Sequence, residues 1–169
     1  LSVVFPDSID DDIARAGAYA YLARWQQARG IDPRPAAKMV EDNVSAAERA
    51  GADTSLLNLL RNNTLLAISA YADQHGEDPR PYLLRALALI EKSVASAPGA
   101  IVLWNDLCAT LLELSTQNFA FGEDPTAFMA RGFTACEEVS RLHPEFYVGL
   151  ANHASLLRNA ALVKLQHGQ

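Results

Sequence analysis

Apolar residues in this chain recur at helical spacing, and they do so in blocks. After Pro79 the series Leu83, Leu84, Leu87, Ile90 and Val94 steps by three and four residues, and after Pro125 the series Phe128, Met129, Phe133, Cys136 and Val139 does the same. Each block predicts an amphipathic helix with one face turned to a core. A second, longer helix follows. It runs from just after Pro98 to Phe121 on the stripe Trp104, Leu107, Cys108, Leu111, Leu112 and Leu114, and segments 54–75 and 145–167 read the same way. Near the start of the chain, Asp7 or Ser8 can cap a helix whose expected apolar face is Tyr19, Leu22, Ala23 and Trp25. About seven helices follow from this pattern. Strands do not, because β-branched residues are sparse and no stretch alternates apolar and polar positions for long.

The breaks between these blocks share a period. Gly30-Ile31-Asp32-Pro33-Arg34-Pro35 returns 46 residues later as Gly76-Glu77-Asp78-Pro79-Arg80-Pro81, then as Gly122-Glu123-Asp124-Pro125, and begins again at Gly168-Gln169. Pro98 and Pro144 keep the same interval, with Ala52 at the equivalent earlier place. Glycine reaches the left-handed conformation that ends a helix, aspartate caps the next one, and proline is pre-shaped for its first turn. The expected organisation is therefore all-α and tandem. One domain over 1–169 comprises a partial unit 1–29, units 30–75, 76–121 and 122–167, and the start of another at 168–169. Each unit is an antiparallel helix pair that hides its apolar stripe only by stacking on a neighbour. The sequence reads as a segment of a longer protein, whose exposed end faces offer surface for self-association.

Trp104-x2-Leu107-Cys108-x2-Leu111 resembles the first-helix signature of the tetratricopeptide repeat. Ala86-x3-Ile90-x2-Ser93-x4-Pro98 and Gly132-x3-Cys136-x2-Val139-x4-Pro144 resemble its second-helix signature, and Trp104 follows Pro98 by six residues, as tandem units of that family require. The units here are longer than the family's usual repeat of about 34 residues, the surplus falling between Leu111 and the next Asp-Pro. The first unit has Asn58 where the aromatic residue would stand and the third has Leu150 and His153 at signature positions. The resemblance implies a right-handed α-α superhelix, a solenoid whose concave groove grips an extended peptide. Carried over by offset from the signature, the groove positions are Tyr21, Asn63, Asn105, Glu113, Ser155, Arg158 and Asn159. The spelling Arg-Gly-x-Asp-Pro-Arg-Pro at Arg29–Pro35 is also similar to helical-repeat tails of bacterial serine/threonine protein kinases. The sequence holds no glycine-rich phosphate loop, no His-Arg-Asp and no Asp-Phe-Gly, so that likeness implies a sensing or docking segment rather than a catalytic one.

Charge and candidate chemistry narrow the function. Twenty acidic residues against 14 basic ones give a net charge of −6, which disfavours nucleic acid or an anionic membrane surface as the partner. Cys108 and Cys136 have no neighbouring cysteine, so neither a disulfide framework nor a zinc spacing is expected, and both read as core thiols in a reducing cytoplasm. His75 and His167 directly precede boundary glycines and are expected to cap helix ends, while His143 and His153 read as structural. Asp10, Asp11 and Asp12 suit the positive end of a helix dipole better than a metal. Trp25 and Trp104 are expected to anchor packing. Seven of the eight asparagines lie on the longer helices, although asparagine is a poor helix former. Two explanations stand side by side: the amides grip a peptide backbone, or they are solvated or bridge neighbouring helices. The expected function is a non-catalytic protein–protein interaction scaffold or regulatory module, binding a protein or peptide, with no cofactor and no metal. An enzyme would need histidine and carboxylate to converge, and a helical RNA reader would need a code repeated in every unit.

Overall fold

The computed structural model describes residues 8–166, and all of its regular structure is helical. The elements are α1 (Ile9–Ala28), α2 (Arg34–Arg49), α3 (Thr54–Gln74), α4 (Arg80–Ser96), α5 (Ile101–Ala120), α6 (Thr126–Leu142) and α7 (Tyr147–Gln166). Among the described residues no helix is long and apolar enough to cross a membrane. Asp7 as an alternative cap, His167, and the further unit expected at 168–169 lie outside the described residues.

Helix boundaries follow from the turn chemistry. α2, α4 and α6 start at Arg34, Arg80 and Thr126, at intervals of 46, and α5 and α7 start at Ile101 and Tyr147, again 46 apart. Gly30, Gly76 and Gly122 lie between helices with φ of 68°, 74° and 73°. At each, the glycine N–H and the next N–H bond back to the ending helix: Gly30 to the Gln27 carbonyl and Ile31 to that of Gln26, Gly76 to Asp73 and Glu77 to Ala72, Gly122 to Phe119 and Glu123 to Asn118. This paired closure satisfies the orphan carbonyls of a helix end and needs a left-handed residue. Two residues on, Asp32 Oδ1 accepts from the Arg34 N–H at 3.0 Å and Asp124 Oδ1 from the Thr126 N–H at 2.9 Å. Pro33 and Pro125, between them, already hold helical angles. The Gly-x-Asp-Pro step thus stops one helix and starts the next, as expected. α1 opens on Ser8, whose hydroxyl accepts from the Asp11 N–H while the Asp11 carboxylate accepts from the Ser8 N–H, a capping box.

The chain divides into two compact units, one ending at Asp78 and the other beginning at Pro79. In the first, α1, α2 and α3 enclose Ala16, Ala20, Val40, Val44, Ala47 and Leu57. The face expected for α1 needs correction. Its buried positions are Asp12, Ala16, Ala20 and Ala23, whereas Leu22 and Trp25 are exposed and Tyr19 is half-buried. Small side chains let helices approach closely, so alanines take the interface and bulky residues are turned out. Trp25 is therefore not a packing anchor; the Arg29 guanidinium sits 4.5 Å over its ring. Between α2 and α3, Arg61 reaches Glu41 at 2.8 Å and Glu48 at 3.0 Å with its own side chain only 15% exposed. Those hydrogen bonds to Glu41 and Glu48 outweigh burial and push the Arg61 pKa further up.

In the second unit α4 buries Leu83, Leu87, Ile90 and Val94 but turns Leu84 outward. α5 buries Leu107, Cys108, Leu111, Leu112 and Leu114, and α6 buries Met129, Cys136 and Val139. Trp104 is half-buried and donates its indole N–H to the Pro98 carbonyl at 2.8 Å. At the crossing of α6 with α7, a Cβ on Gly132 would stand 3.0 Å from Leu156 Cδ1, which gives the small residue of the signature a packing reason. The two cysteines correct the sequence reading. Cys108 and Cys136, both fully buried, form a disulfide between α5 and α6 with Cα atoms 5.3 Å apart. Their 28-residue separation places them opposite each other once the two helices run antiparallel. A stable disulfide belongs with oxidising compartments, so the ground for expecting a reducing cytoplasm is removed.

Candidate functional site

The longer helices carry the polar side chains singled out in the sequence, and in the second unit α5 and α7 bring most of them together. Asn152 Nδ2 donates to Asn105 Oδ1 at 3.2 Å, and two turns further along α7, Asn159 Nδ2 donates to Thr116 Oγ1 at 2.8 Å. Arg158 Nη2 leans on Asn159 Oδ1 at 3.5 Å. The result is a seam of amides and hydroxyls along two adjacent helices. Asn105 and Asn159 are half-buried, Glu113 and Arg158 are exposed, and the Ser155 hydroxyl donates to the Ala151 carbonyl of its own helix.

The helix-bridging explanation of the asparagines is visible here. Asn105, Asn152 and Asn159 bridge helices, which accounts for a poor helix former at those positions. An amide carries two donors and two acceptor lone pairs, so a half-buried amide holding one such bridge keeps capacity for a further partner. Asn58 and Asn62 of α3 behave differently: they are 4% and 0% exposed, and neither Asn62 amide atom has a hydrogen-bond partner. These two are core residues of the first unit. Asn63 is half-buried on α3 and Tyr21 is 74% exposed on α1, so both belong to the first unit rather than to the α5–α7 seam.

The remaining candidates resolve into structural roles. His75 ends α3 with Nδ1 2.8 Å from the Tyr71 carbonyl and its ring stacked on Tyr71 at 3.9 Å, so it caps as expected. His153 packs edge-on against Phe133, and His143, at the end of α6, against Phe146. In the acidic run, Asp11 completes the capping box and Asp12 pairs with Arg15 at 2.6 Å. Hydrogen bonds from the Ser8 side chain and backbone hold the Asp11 carboxyl below the usual range. Among the described residues no group of three or more histidine, cysteine or acidic side chains is placed to hold a metal ion.

One open depression of about 690 Å³ lies in the second unit, lined by Phe119, Gly122, Glu123, Asp124, Pro125, Thr126 and Gln166. Glu123 is engaged by Arg80, whose guanidinium also lies 4.2 Å over the Phe121 ring. The lining contains two carboxylates, Glu123 and Asp124, and one hydroxyl, that of Thr126. No family model, curated protein or solved structure matches the chain.

Proposed function

We propose that this chain is a non-catalytic interaction module, a tetratricopeptide-like stack of helix pairs that binds a peptide or protein along the polar side of its longer helices. The observation that carries this reading is the α5–α7 seam. Asn105, Asn152, Thr116 and Asn159 align there in mutual hydrogen bonds, with Arg158 and Glu113 exposed beside them. Helix-borne amides held in place by one another are pre-organised donors and acceptors for an extended backbone, and Arg158 suits a carboxylate.

The test is direct. Random peptides displayed on phage are panned against the chain, and enriched sequences are synthesised and titrated by fluorescence polarisation. Asn105→Ala with Arg158→Ala should weaken binding by roughly tenfold or more, the scale of a lost hydrogen bond to a charged group. Glu137→Ala, exposed on α6, should leave binding unchanged. Unaltered affinity in the folded double variant removes the seam as the binding face.

A further inference from the structure

The Cys108–Cys136 bond lies where the second unit sets three helices against one another. On α5, Cys108 comes one turn after Asn105, which Asn152 of α7 bridges at 3.2 Å. On α6, Cys136 is flanked by two positions at which that helix meets α7. One turn before it, Gly132 leaves room for the fully buried Leu156: a Cβ there would stand 3.0 Å from Leu156 Cδ1 and 3.5 Å from Leu111 Cβ. One turn after it, Val139 fills the space beside Gly149, and a Cβ on Gly149 would collide with it. Leu156 in turn lies between Asn152 and Asn159, the two residues that tie α7 to α5. The position of α6 therefore sets where α7 stands and whether its amides reach Asn105 and Thr116.

We propose that the Cys108–Cys136 pair is a redox switch for the α5–α7 seam: the disulfide holds α6, and through it α7, in register with α5, and reduction to two thiols lets α7 go. The conformational step stands on the packing alone, while its consequence for a ligand rests on the peptide-binding reading of the seam. A dithiol supplies the two electrons and two protons. The S–S bond breaks, one hydrogen ends on each cysteine sulfur, and the dithiol becomes a disulfide itself. Two unbonded sulfurs must then stand a full van der Waals contact apart in a close-packed site where both cysteines are fully buried. That overpacks the α5–α6 contact, and a shift of α6 away from α5 disturbs the seats of Leu156 and Gly149 on it. The first unit has no such device, since Ala16 and Val44 stand at the equivalent positions.

Cys108 and Cys136 are the only cysteines, so a dithiol such as dithiothreitol acts at this site alone. Hydrogen exchange of the whole chain, read by mass spectrometry with free thiols counted by alkylation, tests the conformational step. Amides of α7 should exchange roughly tenfold faster after reduction, with α1 and α2 unchanged. A peptide enriched by phage panning should bind the reduced chain roughly tenfold more weakly, and by linkage saturating peptide should raise the dithiol-to-disulfide ratio needed for half reduction by the same factor. Cys108→Ala with Cys136→Val, which copies the first unit, should bind as the oxidised chain does, with or without dithiol. Unchanged α7 exchange once both thiols are free, reduction that occurs only with global unfolding, equal affinity of the two redox forms, or a dithiol effect that persists in the cysteine-free variant overturns the proposal. Loss of α7 protection in a chain that binds no panned peptide when oxidised upholds the conformational step and overturns the seam as its output.

Discussion

Matching positions on α3 and α5 are fastened to neighbouring helices by different chemistry. In the first unit Arg61 of α3 clasps Glu41 and Glu48 of α2. The residue 46 positions later, Leu107, is a buried hydrophobe. The next position is Asn62 in the first unit, fully buried with its amide unpartnered, and Cys108 in the second, bonded to Cys136. One backbone plan therefore accepts an ion network, apolar packing or a covalent link at its helix interfaces, and the units differ in what holds them.

The disulfide should matter most. A cross-link closing 28 residues restricts the unfolded chain by about 3.5 kcal/mol. Cys108→Ala with Cys136→Ala should lower the stability of the second unit by about that much, read as lost hydrogen-exchange protection in α5 and α6, with the first unit little changed. Asn62 should show the opposite sign. A buried amide without a partner costs about 1–3 kcal/mol, so Asn62→Leu should raise the melting temperature; a fall would show that the amide is satisfied after all. Arg61→Met should cost roughly 1 kcal/mol, because its carboxylate partners are largely exposed and solvent-screened, and the loss should shrink in high salt.

The smallest effect concerns the start of α1. Ser8→Ala should destabilise the chain by about 1 kcal/mol. Because the Asp11 pKa is lowered by folding, its share of this cap is complete above the ordinary aspartate pKa of about 4 and fades as pH falls through the lower folded value. A pH series of thermal melts should therefore show wild type losing its advantage over Ser8→Ala only in acid.

What could be read in the sequence was chiefly backbone chemistry. Gly30, Gly76 and Gly122 end helices because few other residues take those angles, and Asp32 and Asp124 cap because a short carboxylate reaches the second N–H beyond it. The α1 core face was legible only in part: Ala23 is buried and Tyr19 packs on the core as expected, but Ala16 and Ala20 carry little hydrophobic signal, while the stronger signals of Leu22 and Trp25 mark the outside. The disulfide was hidden by its spacing, since residues 28 apart meet only through the antiparallel pairing of two helices. That pairing could have been used to bring Cys108 opposite Cys136. The asparagines were visible as a group, but which of them bridge helices and which lie in the core depends on the rotation of each helix, which asparagine itself does not report.

The claim beneath the proposed function is that helix pairs repeat in one register. In the first unit Ala16 of α1 and Val44 of α2 share a core cluster at the same 28-residue spacing as Cys108 and Cys136. Replacing both, Ala16→Cys with Val44→Cys, should give a second disulfide on air oxidation. Alkylation and intact mass should then show no free thiol in the double variant and one in each single variant, with helical content retained. If both new thiols stay reactive in the folded, oxidised protein, α1 and α2 do not meet as α5 and α6 do, and the repeat reading fails.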